Sequence, residues 1–409
     1  MTLAIDVPRI QAYFETPAGV VEPEQCVLPN QAASAVLYEH LGRLHIKNFF
    51  MACVRAVEVL PMPLRRDFVL CVQRLQALPM QTVARCLLQP KLAAWIRFTL
   101  SALEAGAAAN VQALARWLPT LLADVLVAHA ALQPGDQLQL IASAPGRFRF
   151  QALGYDIALD EAQAVLQATA NGRHRLGGVD VDDEAAFQRI PCVSGIALLA
   201  EDAYLRELIP RAPDQRAQLD EQPSVETQRA LHASVQAGMR VLAEHWPIGL
   251  AEVQRSVHTI VALKGEGLSP MNASLTEFRG LVGTTARPSY LSAQSLIHEA
   301  GHNRLDTLLD LVPLTDNPPA QLYFSPFVQT ARPMDRIAHG ALAFLQDVVI
   351  SRKLHGRVEE IPGWELEPYI ARMAALVDDG LAVIRAHAVL TDAGSRFVQR
   401  MTDVLSEYR

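Results

Sequence analysis

Chemistry in this chain centres on His298, Glu299 and His302, in the run HEAGH, which has the spacing HExxH. Residues i and i+4 share one face of an α-helix, so both imidazoles can reach a single metal ion. The pair continues a stripe with Ser295, Leu305 and Leu309, which turns it toward the interior, where neutral imidazole is a good ligand. The chain has twelve histidines, and chance would place an HExxH in it on the order of 0.02 times. A catalytic metal also needs a third protein ligand and open positions. The peptidase extension HExxHxxGxxH is absent, because positions 305 and 308 are Leu305 and Leu308. The third ligand must therefore come from elsewhere. His339, in RPMDRIAHGALAF, is the first candidate. Asp347 lies roughly 80° round the same helix from it, and Glu359, Glu360, Glu365 and Glu367 are carboxylate alternatives. Arg332 and Arg336 flank the start of that helix, and a guanidinium presents a planar fork that suits a carboxylate.

These residues must be positioned by the elements around them. The periodicity predicts a long helix over about 289–311 carrying the motif, preceded by strand-like SVHTIVALKG and EFRGLVGTTA. Prolines from Pro313 to Pro333 mark an irregular loop, followed by helices over about 335–354, 365–388 and 391–407. Upstream, residues 30–133 read as helical throughout, NVQALARWLPTLLADVLVAHAAL being one such stretch. Pro61, Pro63, Pro79 and Pro90 punctuate the series. Residues 137–200 read as β-containing, with a short helix at DEAQAVLQATA, and residues 203–223 as a polar connection. The expected architecture is mainly α with a small β-containing insert (α+β), a zincin-like HExxH helix packing against a second long helix. Three regions are expected: a helical one over 1–135, a mixed β/α insert over 136–222 and a metal-site region over 223–409.

Composition bounds the function. Of 409 residues 50% are hydrophobic, 6% aromatic and 19% charged, enough apolar surface for a sizeable core. Lys and Arg number 36 against 43 Asp and Glu, a net charge of −7, which disfavours non-specific nucleic-acid binding. Five cysteines without a CxxC point away from a disulfide framework and toward buried thiols in a reducing cytoplasm. The N-terminal residues lack a basic stretch before an apolar core. The most apolar stretch, Leu118 to Leu132, contains Asp124 and His129 and falls short of the ~20 residues that span a bilayer. Neither nucleic acid nor membrane is an expected partner. LGGVD and GEG lack a phosphate-loop lysine, and no GxSxG occurs.

The sequence LIHEAGH, then a proline-rich loop, then RPMDRIAHGALAF resembles the HExxH-motif domain proteins found beside ribosomal peptide natural-product genes. Members of that family are iron- and α-ketoglutarate-dependent peptide β-hydroxylases. The resemblance covers about residues 255–355. It implies iron(II) on His298, His302 and His339, with the distal carboxylate of α-ketoglutarate on Arg332. It implies a precursor peptide as partner, hydroxylated at a side-chain β-carbon. Three facial ligands leave three positions for the 2-oxo acid and O₂. The usual facial set has one carboxylate, which keeps Asp347 as an alternative. Glu299, a general base in a peptidase, would here orient a ligand or bound water.

Two other readings compete. In a zincin-type zinc metallopeptidase, Glu299 would be the catalytic base and a carboxylate such as Glu360 the third ligand. In a non-catalytic peptide- or partner-binding protein, the N-terminal helices or an edge of the β-containing insert would carry the contact.

Overall fold

The computed structural model describes residues 3–182, 187–200, 202–209, 219–220, 222–264, 272–358 and 365–409. Glu359 and Glu360 lie outside the described residues. The protein is a mixed α+β chain, 58% helical with several small sheets. It divides into two compact units, the first made of Met1–Pro17, Gly42–Cys192 and Ala197–Arg216, the second of Ala18–Leu41, Val193–Ile196 and Ala217–Arg409.

In the first unit, prolines open the helices. Met62–Gln76, Pro90–Glu104 and Leu118–Ala128 each hold a proline in the first two positions, where its missing N–H costs nothing. Trp95, Phe49 and Phe68 are fully buried, and both phenyl rings contact the indole of Trp95. The stretch expected as one helix across residue 116 is two, Ala108–Ala115 and Leu118–Ala128. Pro119 cannot donate to the preceding turn, so the chain restarts there. Residues Ala108–Ala128 are long and apolar enough to cross a membrane by length and composition, and most of that stretch is buried in the fold, as core helices are.

DEAQAVLQATA forms no helix. Gln163–Ala168 is a strand, antiparallel to Gln137–Ile141. Ala164, Leu166 and Ala168 are buried while Gln163, Val165 and Gln167 face out. That period of two, satisfied by a neighbouring strand, overrides the helix propensity of Ala, Leu and Gln. Cys26, Cys53, Cys71 and Cys86 are buried thiols, but Cys192 is exposed, unlike the expectation for all five.

The second unit is built around the helix Ser289–Leu311, which carries the HExxH run and is buried along most of its length. Strand Thr259–Ala262 runs parallel to Leu281–Thr284, and Asn272–Ser274 pairs antiparallel on the other side of Leu281–Thr284. Helices Val225–His245 and Met334–Leu354 both pack on the motif helix. The proline-rich segment is more ordered than a loop: Leu322–Ser325 and Thr330–Pro333 form a hairpin leading into Met334–Leu354. Leu366–His387 and Asp392–Tyr408 complete the chain.

Two glycines set the distances between these helices. A Cβ on Gly301, inside the motif, would stand 3.1 Å from Cγ of Gln346, so the small residue lets Met334–Leu354 approach closely. A Cβ on Gly238 would lie 2.7 Å from Oγ of Ser292 and 2.8 Å from the backbone N of Ala293. The second neighbour is backbone and cannot yield, so Gly238→Ala must push Val225–His245 off the motif helix. It is expected to lower unfolding free energy by about 1–3 kcal/mol, measured by urea denaturation. Wild-type stability in that variant would show that the two helices are not in register there.

Candidate metal centre

His298 and His302 are half-buried on one face of the motif helix, their ring centroids 5.0 Å apart. His339 is 4% exposed, in the second turn of Met334–Leu354. Its ring follows at 5.4 Å from that of His302, with the two Nδ1 atoms 3.2 Å apart. Two facing imidazole nitrogens at that separation need a proton or a cation between them. Nitrogens sharing one metal at 2.0–2.1 Å stand about 2.9–3.4 Å apart, so the pair is spaced as metal ligands are.

Carboxylates sit behind the rings. Asp347 places Oδ1 and Oδ2 3.2 and 3.1 Å from Nδ1 of His298, so Nε2 is the nitrogen of His298 that a metal would use. Oδ1 of Asp306 lies 3.1 Å from Nε2 of His339, leaving Nδ1, the atom that faces His302. Asp306 is itself held by Arg279 at 2.8 Å, which also pairs with Asp310 at 2.8 Å. A carboxylate behind a ligating histidine fixes the tautomer and the ring orientation and raises its basicity.

The charges follow. Burial opposes the charged form of Asp306, yet Arg279 and His339 outweigh it and hold the carboxyl far below the usual range. Burial, together with the neighbouring His298 and His339, keeps His302 neutral by pushing it well below its ordinary value. On His298 burial is outweighed by the Asp347 carboxylate and its hydrogen bond, which raise the imidazole to about 9. A raised histidine adds stability that is fully present below its unfolded value and is lost as pH rises through about 9. A ligating metal must displace that proton, so its affinity is expected to rise by about tenfold per pH unit from pH 7 toward 9. Asp347→Asn should flatten that slope and weaken the metal by about 10–100-fold. Metal titrations at several pH values read both, and an unchanged slope in the variant would remove Asp347 from the role.

Glu299 is 2% exposed. One carboxylate oxygen meets Ser274, while Oε2 has no hydrogen-bond partner. Burial raises its pKa, against the pull of His298. Beside it, Arg287 donates to Oγ of Thr285 and Oγ of Ser295. Tyr369, from Leu366–His387, reaches Oδ2 of Asp347 at 3.5 Å and hydrogen bonds with Gln294. The other wall is aromatic. Phe344 stands edge-on to His298 at 5.5 Å, and Phe327 stacks on Phe344 at 5.2 Å. The Phe327 ring lies where side chains at Gly340 and Gly380 would fall.

The arginines singled out by sequence are placed differently from one another. Arg332 lies in the hairpin, opposite Tyr323. Arg336 donates to Oγ1 of Thr276 at 2.9 Å and lies within electrostatic reach of His302 and Asp306. Among the carboxylates, Glu367 pairs with Arg352 at 2.6 Å, and Glu365 is exposed ahead of Leu366–His387. Asp306, Arg279, Arg287, Tyr369 and Phe344 were not anticipated. The spacing His302 to Asp306 repeats the i, i+4 interval of the motif and was the one available signal.

Among the described residues no group of three or more His, Cys, Asp or Glu side chains is placed to hold a metal ion. The convergence is pairwise, His302 with His339, with His298 adjoining. The His302–His339 pair alone has ligand-like spacing, and the other nitrogen of His339 is anchored on the Asp306 carboxylate. No family model matches the chain, and no curated protein matches it.

Proposed function

We propose that the chain is an iron(II)- and α-ketoglutarate-dependent hydroxylase acting on a side-chain β-carbon of a ribosomally made precursor peptide, a member of the HExxH-domain family that its motif resembles. The observation that carries the reading is the 3.2 Å approach of His339 Nδ1 to His302 Nδ1. It brings to the motif the histidine of the His-Gly pair on which the resemblance rests. Under this reading the motif helix and Met334–Leu354 form a zincin-like pair, and His298, His302 and His339 hold the metal. Iron(II) bound there would supply the redox chemistry that couples decarboxylation of the 2-oxo acid to oxygen insertion. Asp347 and Asp306 orient the rings, and Phe344, backed by Phe327, packs edge-on against His298. Glu299, buried against Ser274, is a positioning group rather than a base facing an open cleft. Arg332 and Arg336 remain candidates for carboxylate contacts at the hairpin end.

Purified protein supplied with iron(II), O₂, α-ketoglutarate and its precursor peptide is expected to form succinate and add one oxygen atom to the peptide. No succinate from an iron-loaded preparation with that peptide would overturn the reading. The unpartnered buried Oε2 of Glu299 favours a second one, a zinc peptidase with a general base. Its signature is peptide cleavage with zinc, abolished in Glu299→Gln.

A further inference from the structure

We propose that Phe344, held in place by Phe327, is a specificity-determining residue that selects an apolar side chain beside the metal. The inference rests on the reading above for the metal and adds the class of peptide residue that the site accepts. The motif imidazoles form the open side of the centre: His298 and His302 are half-buried, whereas His339 is buried. Phe344 stands on that side. Its ring lies edge-on to His298, with centroids 5.5 Å apart and planes at 80°. In Met334–Leu354, residues 341–351 are buried except Phe344, which is half-buried. A stretch of about three turns thus leaves one phenyl ring to meet what approaches His298.

That ring is buttressed. Phe327 stacks on it, with centroids 5.2 Å apart and planes at 18°. Phe327 in turn sits in a notch between two helices. A Cβ at Gly340 would fall on its Cδ2 and Cγ, and a Cβ at Gly380 on its Cζ and Cε2. Both glycines lie inside helices, Met334–Leu354 and Leu366–His387, where glycine is disfavoured against alanine. Neither has a positive φ, so the backbone does not call for glycine there, and room for the Phe327 ring does. Gly340 and Phe344 are four residues apart, which puts the notch and the selecting ring on one helix face. A phenyl ring offers no hydrogen bond. A carboxylate or amide side chain laid against it gives up water without gaining a partner. An aliphatic side chain removes apolar surface from water, and an aromatic one adds ring contact. The neighbouring carboxylates are engaged behind the imidazoles, Asp347 with His298 and Tyr369, Asp306 with Arg279 and His339.

Amino-acid hydroxamates test this, because the hydroxamate chelates the metal and carries a side chain to its flank. The full chain loaded with Co(II) is titrated with acetohydroxamate and with the N-acetyl hydroxamates of leucine, phenylalanine and aspartate, followed by cobalt absorption. Acetohydroxamate lacks the amino-acid side chain and reports the metal alone, so a variant that weakens the whole centre is recognised. Wild type is expected to bind the leucine and phenylalanine probes at least about tenfold tighter than the aspartate probe, the scale on which apolar pockets discriminate. Phe344→Ala should bring that ratio within about threefold. Gly380→Ala, whose new methyl meets the Phe327 ring, should lower it part of the way, and with Phe327→Leu it carries the test if Phe344→Ala does not fold. An equal or inverted ratio in the wild type, or a ratio unchanged in the folded variants, overturns the proposal and leaves the metal centre standing. Protein that takes up no cobalt, or that binds no hydroxamate once loaded, removes the metal centre and the proposal with it. Succinate formation tests the reaction independently of either result.

Discussion

Under the proposed reading, His339→Ala is expected to lower metal affinity by more than ~100-fold, because losing a partner behind a ligand already costs about 10–100-fold. The argument turns on which nitrogen is available. Nε2 of His339 is engaged with Asp306, and Nδ1 points at Nδ1 of His302 across 3.2 Å. His302 is kept neutral by burial and by its histidine neighbours, so a metal replaces a shared proton at low electrostatic cost. Removing His339 leaves Asp306 still paired with Arg279 at 2.8 Å, so the fold should persist and metal loss is separable from unfolding. Metal content by mass spectrometry, with circular dichroism as the control for folding, reads the result. Retained metal in His339→Ala, with loss only in Asp347→Ala, would make Asp347 the third ligand and its contact with His298 the closed form of an apo site.

The motif and its carrier were legible because they are local. HExxH declares its own geometry, and the apolar spacing around it defines Ser289–Leu311 and Met334–Leu354 with little ambiguity. The groups that set the chemistry were not local. Asp306 lies on the motif helix, but its role depends on His339 and on Arg279, which arrives from the turn before Leu281–Thr284. Arg287 is one charged residue among many until burial removes its solvent. Gln163–Ala168 shows the same limit for secondary structure, since its residues favour helix in isolation and strand only when Gln137–Ile141 stands beside them. The inclusion of residues 18–41 in the unit of the motif has no sequence signature at all. Part of it comes from backbone carbonyls, which every residue carries.

Those carbonyls lead to the largest stability effect expected here, that of Arg304→Met. Arg304 lies two residues past His302 and is 1% exposed. Nε donates to the carbonyl of Cys26 at 2.7 Å and Nη2 to that of Val27 at 3.2 Å, with Nη1 paired to Glu252 at 3.2 Å. Gln346 adds a bond to the Val27 carbonyl at 2.7 Å. Glu252 is 2% exposed, and its remaining partner is the hydroxyl of Ser34. Methionine fills a similar volume, so the substitution strands a buried carboxylate rather than opening a cavity. Breaking such a pair costs about 3–5 kcal/mol. Arg304→Met combined with Glu252→Gln should recover part of that loss, because the desolvated charge is then gone from both sides. Urea denaturation of the two singles and the double closes the cycle. A single Arg304→Met costing under about 1 kcal/mol would mean that water reaches Glu252.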